Sequence, residues 1–299
     1  MSTVLAYITV VLVWATTPLA INWSAEAGAP IGSVWLRMLL ATLVGMLLLR
    51  ALGGRMVWHR QALRSYAAAV PGVFGAMGLS YAASLHVPSG LISVMFGLAP
   101  LISGLMMQAL PGGVRLRAGH WVGCLLGLAG LALIFRDALV PGSTALRGVL
   151  MLLGAVICFC GSGLAVQRVA AGLPPLTQTL GALSLSLPCY AVLWLASGEP
   201  LTVPLSTRGL FAVAYLALFG SLLGFLCYFL ILSRLSAATV ALVTLITPVL
   251  ALSLGMFLNN EQPGVGVLAG GGLIVVALGA YLYADRALWR RGYPKHSRS

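Results

Sequence analysis

Apolar runs of about 20 residues follow one another along this chain, parted only by short breaks rich in Arg, Gly or Pro. About 20 residues rising 1.5 Å each cross the ~30 Å hydrocarbon core of a bilayer. Ten such runs can be delimited, at 3–23, 32–50, 64–84, 88–110, 118–135, 147–168, 174–197, 207–233, 236–257 and 264–284. Only Leu85 to Val87 separate the third from the fourth, and only Arg234 and Leu235 the eighth from the ninth. Each of these pairs is too long for one span and is read as a tight helical hairpin. Water offers no alternative fold, because 60% of the 299 residues are hydrophobic and 7% charged. A soluble domain carries about a quarter charged residues, and without them no polar shell can be built. The expected fold is an all-α integral membrane protein of ten transmembrane helices, with no room for a soluble domain.

The net charge of +12 points to the membrane and not to nucleic acid, because of where it sits. Of the 17 Lys and Arg, Arg136, Arg147 and Arg208 fall on one side of the ten-span arrangement and Arg37 inside the second span. All the others lie on the side shared by the two chain ends. The positive-inside rule then places both termini in the cytoplasm. The stretch from Arg50 to Arg64, with Met56 and Trp58, suits an anionic headgroup surface. Cys124, Cys158, Cys160, Cys189 and Cys227 all lie in apolar runs, lack metal-ligand spacing with His, and are odd in number. They are read as packing residues, and no metal site is expected. The first run lacks a basic leader and a cleavage site and is expected to persist as a helix.

The two halves resemble each other. The stretch YAASLHVPSGLISVMFGLAPLISGLMM from Tyr81 aligns with FLILSRLSAATVALVTLITPVLALSLGM from Phe229. His86 falls over Arg234, Ser89-Gly90 over Ala237-Ala238 and Pro100 over Pro248; a small shift sets Gly119 and Gly123 over Gly266 and Gly270. A five-span unit repeated in one chain must insert with opposite orientations, so the expected architecture is two inverted five-helix repeats. The divisions are 1–140, 141–285 and a basic cytoplasmic tail at 286–299.

These features resemble the EamA-type drug/metabolite transporter superfamily. The marks are Trp14, Ala15 and Pro18 early in the first span and Arg37 in the second. Ala237-Ala238 running to Pro248, then Glu261 and a last helix containing Gly266, Gly270 and Gly279, complete them. Within the superfamily the chain looks most like the YddG-type bacterial exporters of aromatic amino acids and methyl viologen. It departs from the pattern in its first half, where Gly113 stands opposite Glu261, so no symmetric pair of acids is available. The resemblance implies a multi-pass protein of a bacterial-type inner membrane that exports small neutral or aromatic metabolites by alternating access. Aromatic amino acids, and by the same rings cationic aromatic drugs, are the implied substrates. No cofactor and no obligate protein partner are implied; the partners are a small-molecule substrate and the lipid bilayer.

The residues themselves carry no enzyme motif: H-E-x-x-H, G-x-S-x-G and a P-loop are all missing. The acids, Glu26, Asp137, Glu199, Glu261 and Asp285, lie in loops or at helix ends, so no catalytic pair and no intramembrane proton or sodium carrier is expected. Glu261 reads as a helix N-terminal acid. Arg37, towards the outer end of its span, could snorkel, pair with carbonyls or Glu261, or meet substrate.

A polar stripe of Ser89, Ser93, Phe96, Pro100, Ser103 and Met107 occupies one face of the fourth span. Thr244, Thr247 and Pro248 answer it in the ninth. Phe74, Met77 and Tyr81 form a face of the third span, and Leu222, Phe225 and Phe229 one of the eighth. Tyr7, Trp14, Pro18 and Ile21 do so in the first, and Phe159, Ser162 and Gln167 in the sixth. Taken singly, each stripe reads as interhelical packing; taken together, they read as the wall of a central cavity. The candidate substrate-binding residues are Trp14, Tyr81, Ser93, Phe96, Phe159, Gln167, Phe229 and Thr244, with Pro100 and Pro248 as hinges. Gly119, Gly123 and Gly127, with mates Gly266 and Gly270, read as close-approach packing glycines. A permease for sugars, nucleosides or lipid-linked intermediates, and a non-transporting membrane enzyme or scaffold, are the alternatives.

Overall fold

A computed structural model describes residues 1–25, 30–110, 118–138, 144–198, 206–235, 240 and 243–289. Among them there are helices and no strands. Seven helices are long and apolar enough to cross a membrane. They are α1 (Thr3–Ala25), α2 (Pro30–Ala51), α3 (Arg60–Ser84), α4 (Ser89–Ala109), α6 (Ala145–Val169), α7 (Pro175–Ser197) and α8 (Thr207–Leu232). Three more, α5 (Ala118–Ala138), α9 (Val243–Asn259) and α10 (Val265–Trp289), offer shorter apolar stretches among the described side chains. Helices win here because, away from water, each backbone N–H and C=O must be satisfied within its own segment. Leu5, Leu12, Leu125, Leu128 and Phe257 stand exposed on the outer faces, as side chains that meet lipid do.

The helices pack in a pattern that exchanges the halves. α1 lies against α8 and α9, while α6 lies against α3 and α4; α2 packs on α7 and α8, and α7 on α2 and α3. α4 meets α9, and α5 and α10 run together along much of their length. Gly130 and Gly270 permit that last approach. A Cβ on Gly130 would stand 2.7 Å from the Gly270 carbonyl oxygen, and one on Gly270 would stand 2.5 Å from the Gly130 carbonyl oxygen. Two of the glycines expected to allow close packing sit at such approaches: Gly270 meets Gly130, and Gly127 faces the Leu101 side chain. Spacing within a helix identifies a face but not which residue of the partner arrives there.

Three departures from regular helix bear on the centre of the bundle. α3 widens into a π turn at Pro71–Gly75, and α8 does so at Leu216–Leu223. The fourth span, expected as one helix, is two: Ser89–Phe96 and Ala99–Ala109, parted at Gly97 and Leu98. Pro100 explains the break, since it offers no N–H and its ring clashes with the carbonyl four residues back, on Phe96. Gly97 closes the first piece by donating to the Ser93 and Val94 carbonyls (3.1 and 3.0 Å). A Cβ on Gly97 would touch Pro248 of α9 at 3.5 Å, so the two proline-bearing segments cross there. The tail expected from 286 begins as helix, since α10 continues to Trp289.

Candidate functional site

At the crossing lies a cavity of about 50 Å³. α1 supplies Trp14, Thr17, Pro18 and Ile21; α2 supplies Arg37; α3 supplies Met77 and Ser80; α4 supplies Ile92, Ser93 and Phe96. Phe159 of α6, Gly220 and Phe225 of α8 and Thr247 of α9 complete the wall. A water needs about 10–15 Å³ of such space, so the centre admits a few waters.

One side of the wall is aromatic. Phe159 sits edge-on to Trp14 (ring centroids 5.5 Å, 74°) and to Phe96 (5.8 Å, 69°), and Tyr228 tilts against both Trp14 and Phe159 at 5.4 and 5.2 Å. These are geometries that aromatic quadrupoles favour. The wall also holds Arg37, which is fully buried. Its Nε donates to Ser221 Oγ at 2.7 Å, and Nη1 makes a long contact to the Tyr81 hydroxyl at 3.5 Å. Its guanidinium carbon lies 5.8 Å from the Tyr81 ring centroid. Nη2 is buried without a hydrogen-bond partner. Of the readings left open for Arg37, snorkelling fails on burial and pairing with Glu261 fails on geometry, because that carboxylate is engaged elsewhere. The π turn of α8 makes this arrangement possible. It presents Gly220 and Ser221 to Arg37, and a Cβ on Gly220 would already stand 3.0 Å from Nη2.

Glu261 belongs to one end of the bundle. Oε1 accepts from Ser89 Oγ (2.7 Å), Ser89 N (3.1 Å) and Asn259 Nδ2 (3.0 Å), and Oε2 accepts from Gly90 N (3.2 Å). It is a helix N-terminal acid as expected, but it caps α4 of the other half and not its own helix. Asn259 Oδ1 receives Trp23 Nε1 (3.0 Å) and Arg208 Nη2 (2.8 Å), and the Arg208 guanidinium lies 4.2 Å over the Trp23 ring. Four helix ends are tied together at this end.

The opposite end holds a second space. A recess of about 550 Å³ is lined by Ser65, Gln167, Gln178, Phe229, Ser233 and Arg234, among others. Gln167 donates to the carbonyls of Leu232 and Leu235 at 3.0 and 2.8 Å, closing the C-terminus of α8. Arg234 reaches Thr3 Oγ1 at 3.0 Å, so this is the end where the chain begins. Phe159 and Phe225 face the cavity, Phe229 faces the recess, and Tyr228 bridges Phe159 to Phe229.

Of the residues expected at the substrate path, Trp14, Ser93, Phe96 and Phe159 meet in the central wall. Tyr81 lies behind it against Arg37, with its hydroxyl also receiving Ser24 Oγ at 3.3 Å. Gln167 and Phe229 are in the recess, one level away. The Thr244 side chain lies outside the described residues, while its neighbour Thr247 lines the cavity. Sequence reasoning missed Ser80, Gly220 and Ser221; Ser221 carried no local signal, since its role comes from Arg37 on a distant helix. Among the described residues, no group of His, Cys, Asp or Glu could hold a metal ion.

The sequence profile of the EamA-like transporter family matches residues 1–136 and 146–283. A relative in Escherichia coli (strain K12), named as the uncharacterized inner membrane transporter YedA, is 29% identical over 286 residues. That alignment spans 91% of this chain and 89% of the relative. An uncharacterized transporter of Archaeoglobus fulgidus is 26% identical over 275 residues, 90% of this chain and 94% of its own. A solved crystal structure shares the fold with a TM-score of 0.69 at 22% identity, covering 96% of this chain and 98% of that one. The chain belongs to the EamA-like transporter family, a family of multi-pass membrane transporters.

Proposed function

We propose that this transporter exports small aromatic metabolites, aromatic amino acids foremost, by alternating access between two inverted five-helix repeats at 1–140 and 141–285. The observation that carries the reading is the central wall of Trp14, Phe96 and Phe159, lying between a tied end and a recess at the other. Stacking on such rings adds about 0.5–1.5 kcal/mol per pair beyond area burial. The inverted repeat is supported by the exchange pattern of helix contacts. It is also supported by the alignment that sets Tyr81 over Phe229, since the same offset sets the π turn Pro71–Gly75 inside Leu216–Leu223. Even the use of the turns is parallel: Tyr190 of α7 donates to the Val73 carbonyl (2.6 Å), as Arg37 of α2 donates to Ser221. The arginine imbalance supports cytoplasmic termini, which makes the Glu261 end external and the recess cytoplasmic.

Arg37 speaks against one part of the substrate range. A permanent positive charge in the wall repels cationic aromatic drugs such as methyl viologen. Counterflow in liposomes tests the reading: vesicles preloaded with phenylalanine, glucose or uridine are diluted into the labelled compound. Labelled phenylalanine should accumulate at least tenfold above protein-free vesicles. Accumulation of glucose or uridine alone would replace the aromatic reading with a sugar or nucleoside permease.

A further inference from the structure

We propose that Arg37 is the anchor for a substrate carboxylate, so that the cavity takes aromatic monocarboxylates and rejects the same rings without an acid group. This rests on the reading of the cavity as an aromatic substrate path and adds the polar half of the substrate. The guanidinium is fully buried. Ser221 and Tyr81 occupy Nε and Nη1, and Nη2 is left buried without a partner in the cavity wall. Among the described residues, no carboxylate lines the cavity. The Glu261 carboxylate is satisfied by four donors from other residues. A buried cation without an anion is costly unless something compensates it. A planar guanidinium with a free edge is shaped to receive a carboxylate in charge-assisted bonds.

The remaining wall fixes what the carboxylate is attached to. Phe96, Phe159 and Trp14 face the cavity alongside Arg37, so an acid held at Nη2 directs its own ring among theirs. Ser80, Ser93 and Thr247 add hydroxyls to the same wall. They can accept from an amino acid's ammonium or donate to a 2-oxo group, so both are candidates sharing the aromatic carboxylate.

Competition binding on the purified full-length protein in lipid nanodiscs tests this with labelled phenylalanine and labelled phenylpyruvate. The competitors are phenylalanine amide and phenethylamine, which keep the ring and lose the acid. Leucine and 4-methyl-2-oxopentanoate keep the acid and lose the ring. At least one aromatic acid should bind at least tenfold tighter than the amide and the amine. Arg37→Gln should erase that preference, and Arg37→Lys should retain it at several-fold lower affinity. If the amide or amine matches the acids, or if Arg37→Gln keeps the preference, the anchor is overturned and the aromatic path stands. If only the aliphatic acids bind, with the same dependence on Arg37, the anchor stands and the aromatic path falls. If no acid of either series binds, both fall. The wild-type ligand series decides alone should Arg37→Gln not fold.

Discussion

Replacing Glu261 by Ala should open the Trp23 end of the bundle. The carboxylate caps the first turn of α4 through Ser89 N, Ser89 Oγ and Gly90 N, and receives Asn259 as a fourth donor. Because α4 belongs to one half and Glu261 to the other, these bonds hold the halves together and do more than stabilise one helix. A hydrogen bond to a charged group contributes about 1.5–3 kcal/mol, and an acid at a helix N-terminus adds about 0.3–1 kcal/mol from the dipole. Losing about 2 kcal/mol from the closed arrangement moves the equilibrium roughly 30-fold towards the open one. The readout is an Ile21→Cys reporter on the cavity wall, labelled by a membrane-impermeant maleimide added from outside. Its labelling should rise at least about tenfold in Glu261→Ala and less in Glu261→Gln, which keeps an acceptor oxygen. An unchanged rate would mean that this network does not hold the end shut.

Gly130→Ala and Gly270→Ala should each destabilise the fold by about 1–3 kcal/mol, the usual cost of overpacking a well-packed contact. The obstacle in each case is backbone, since the added Cβ meets the carbonyl oxygen of the other glycine at 2.7 or 2.5 Å. A carbonyl within a helix cannot swing aside as a long side chain can. α5 and α10 must separate, and the double variant should cost less than the two singles together, because both act on one contact. Gly272→Ala and Gly279→Ala are the controls, as nothing lies within 4 Å of a Cβ at either. Thermal unfolding of the solubilised protein, followed by loss of the monodisperse peak, should separate the two pairs of variants clearly. Equal midpoints for all four would place the α5–α10 contact outside the stability of the protein.

The helices were legible because a bilayer demands long apolar runs, and no other structure satisfies their backbone. The interruptions were legible only in part. Pro100 announces a break, and the break falls three residues earlier at Gly97, where the clash with the preceding turn is relieved. The π turn at Leu216–Leu223 contains no proline, so only its correspondence with Pro71–Gly75 in the other half could have suggested it. Helical spacing identified the face carrying Phe159 and Gln167 but not the depth at which it serves. Eight residues rise about 12 Å, which takes Gln167 from the central cavity to the recess. Arg37 was conspicuous in the sequence, yet its partners Ser221 and Tyr81 come from two other helices. Nothing local to residue 37 could have chosen among its possible roles.

Passage of substrate through the cavity lined by Arg37 and the aromatic rings is read out at Ser93. A Ser93→Cys variant, made in a background whose five native cysteines are replaced, places one thiol in the cavity wall. In liposomes, a small water-soluble methanethiosulfonate should label it, and saturating phenylalanine or phenylpyruvate should slow that labelling at least fivefold while leucine amide leaves it unchanged. A thiol that stays inert, or that labels at the same rate with and without either acid, would return the cavity to ordinary helix packing and place the substrate path elsewhere.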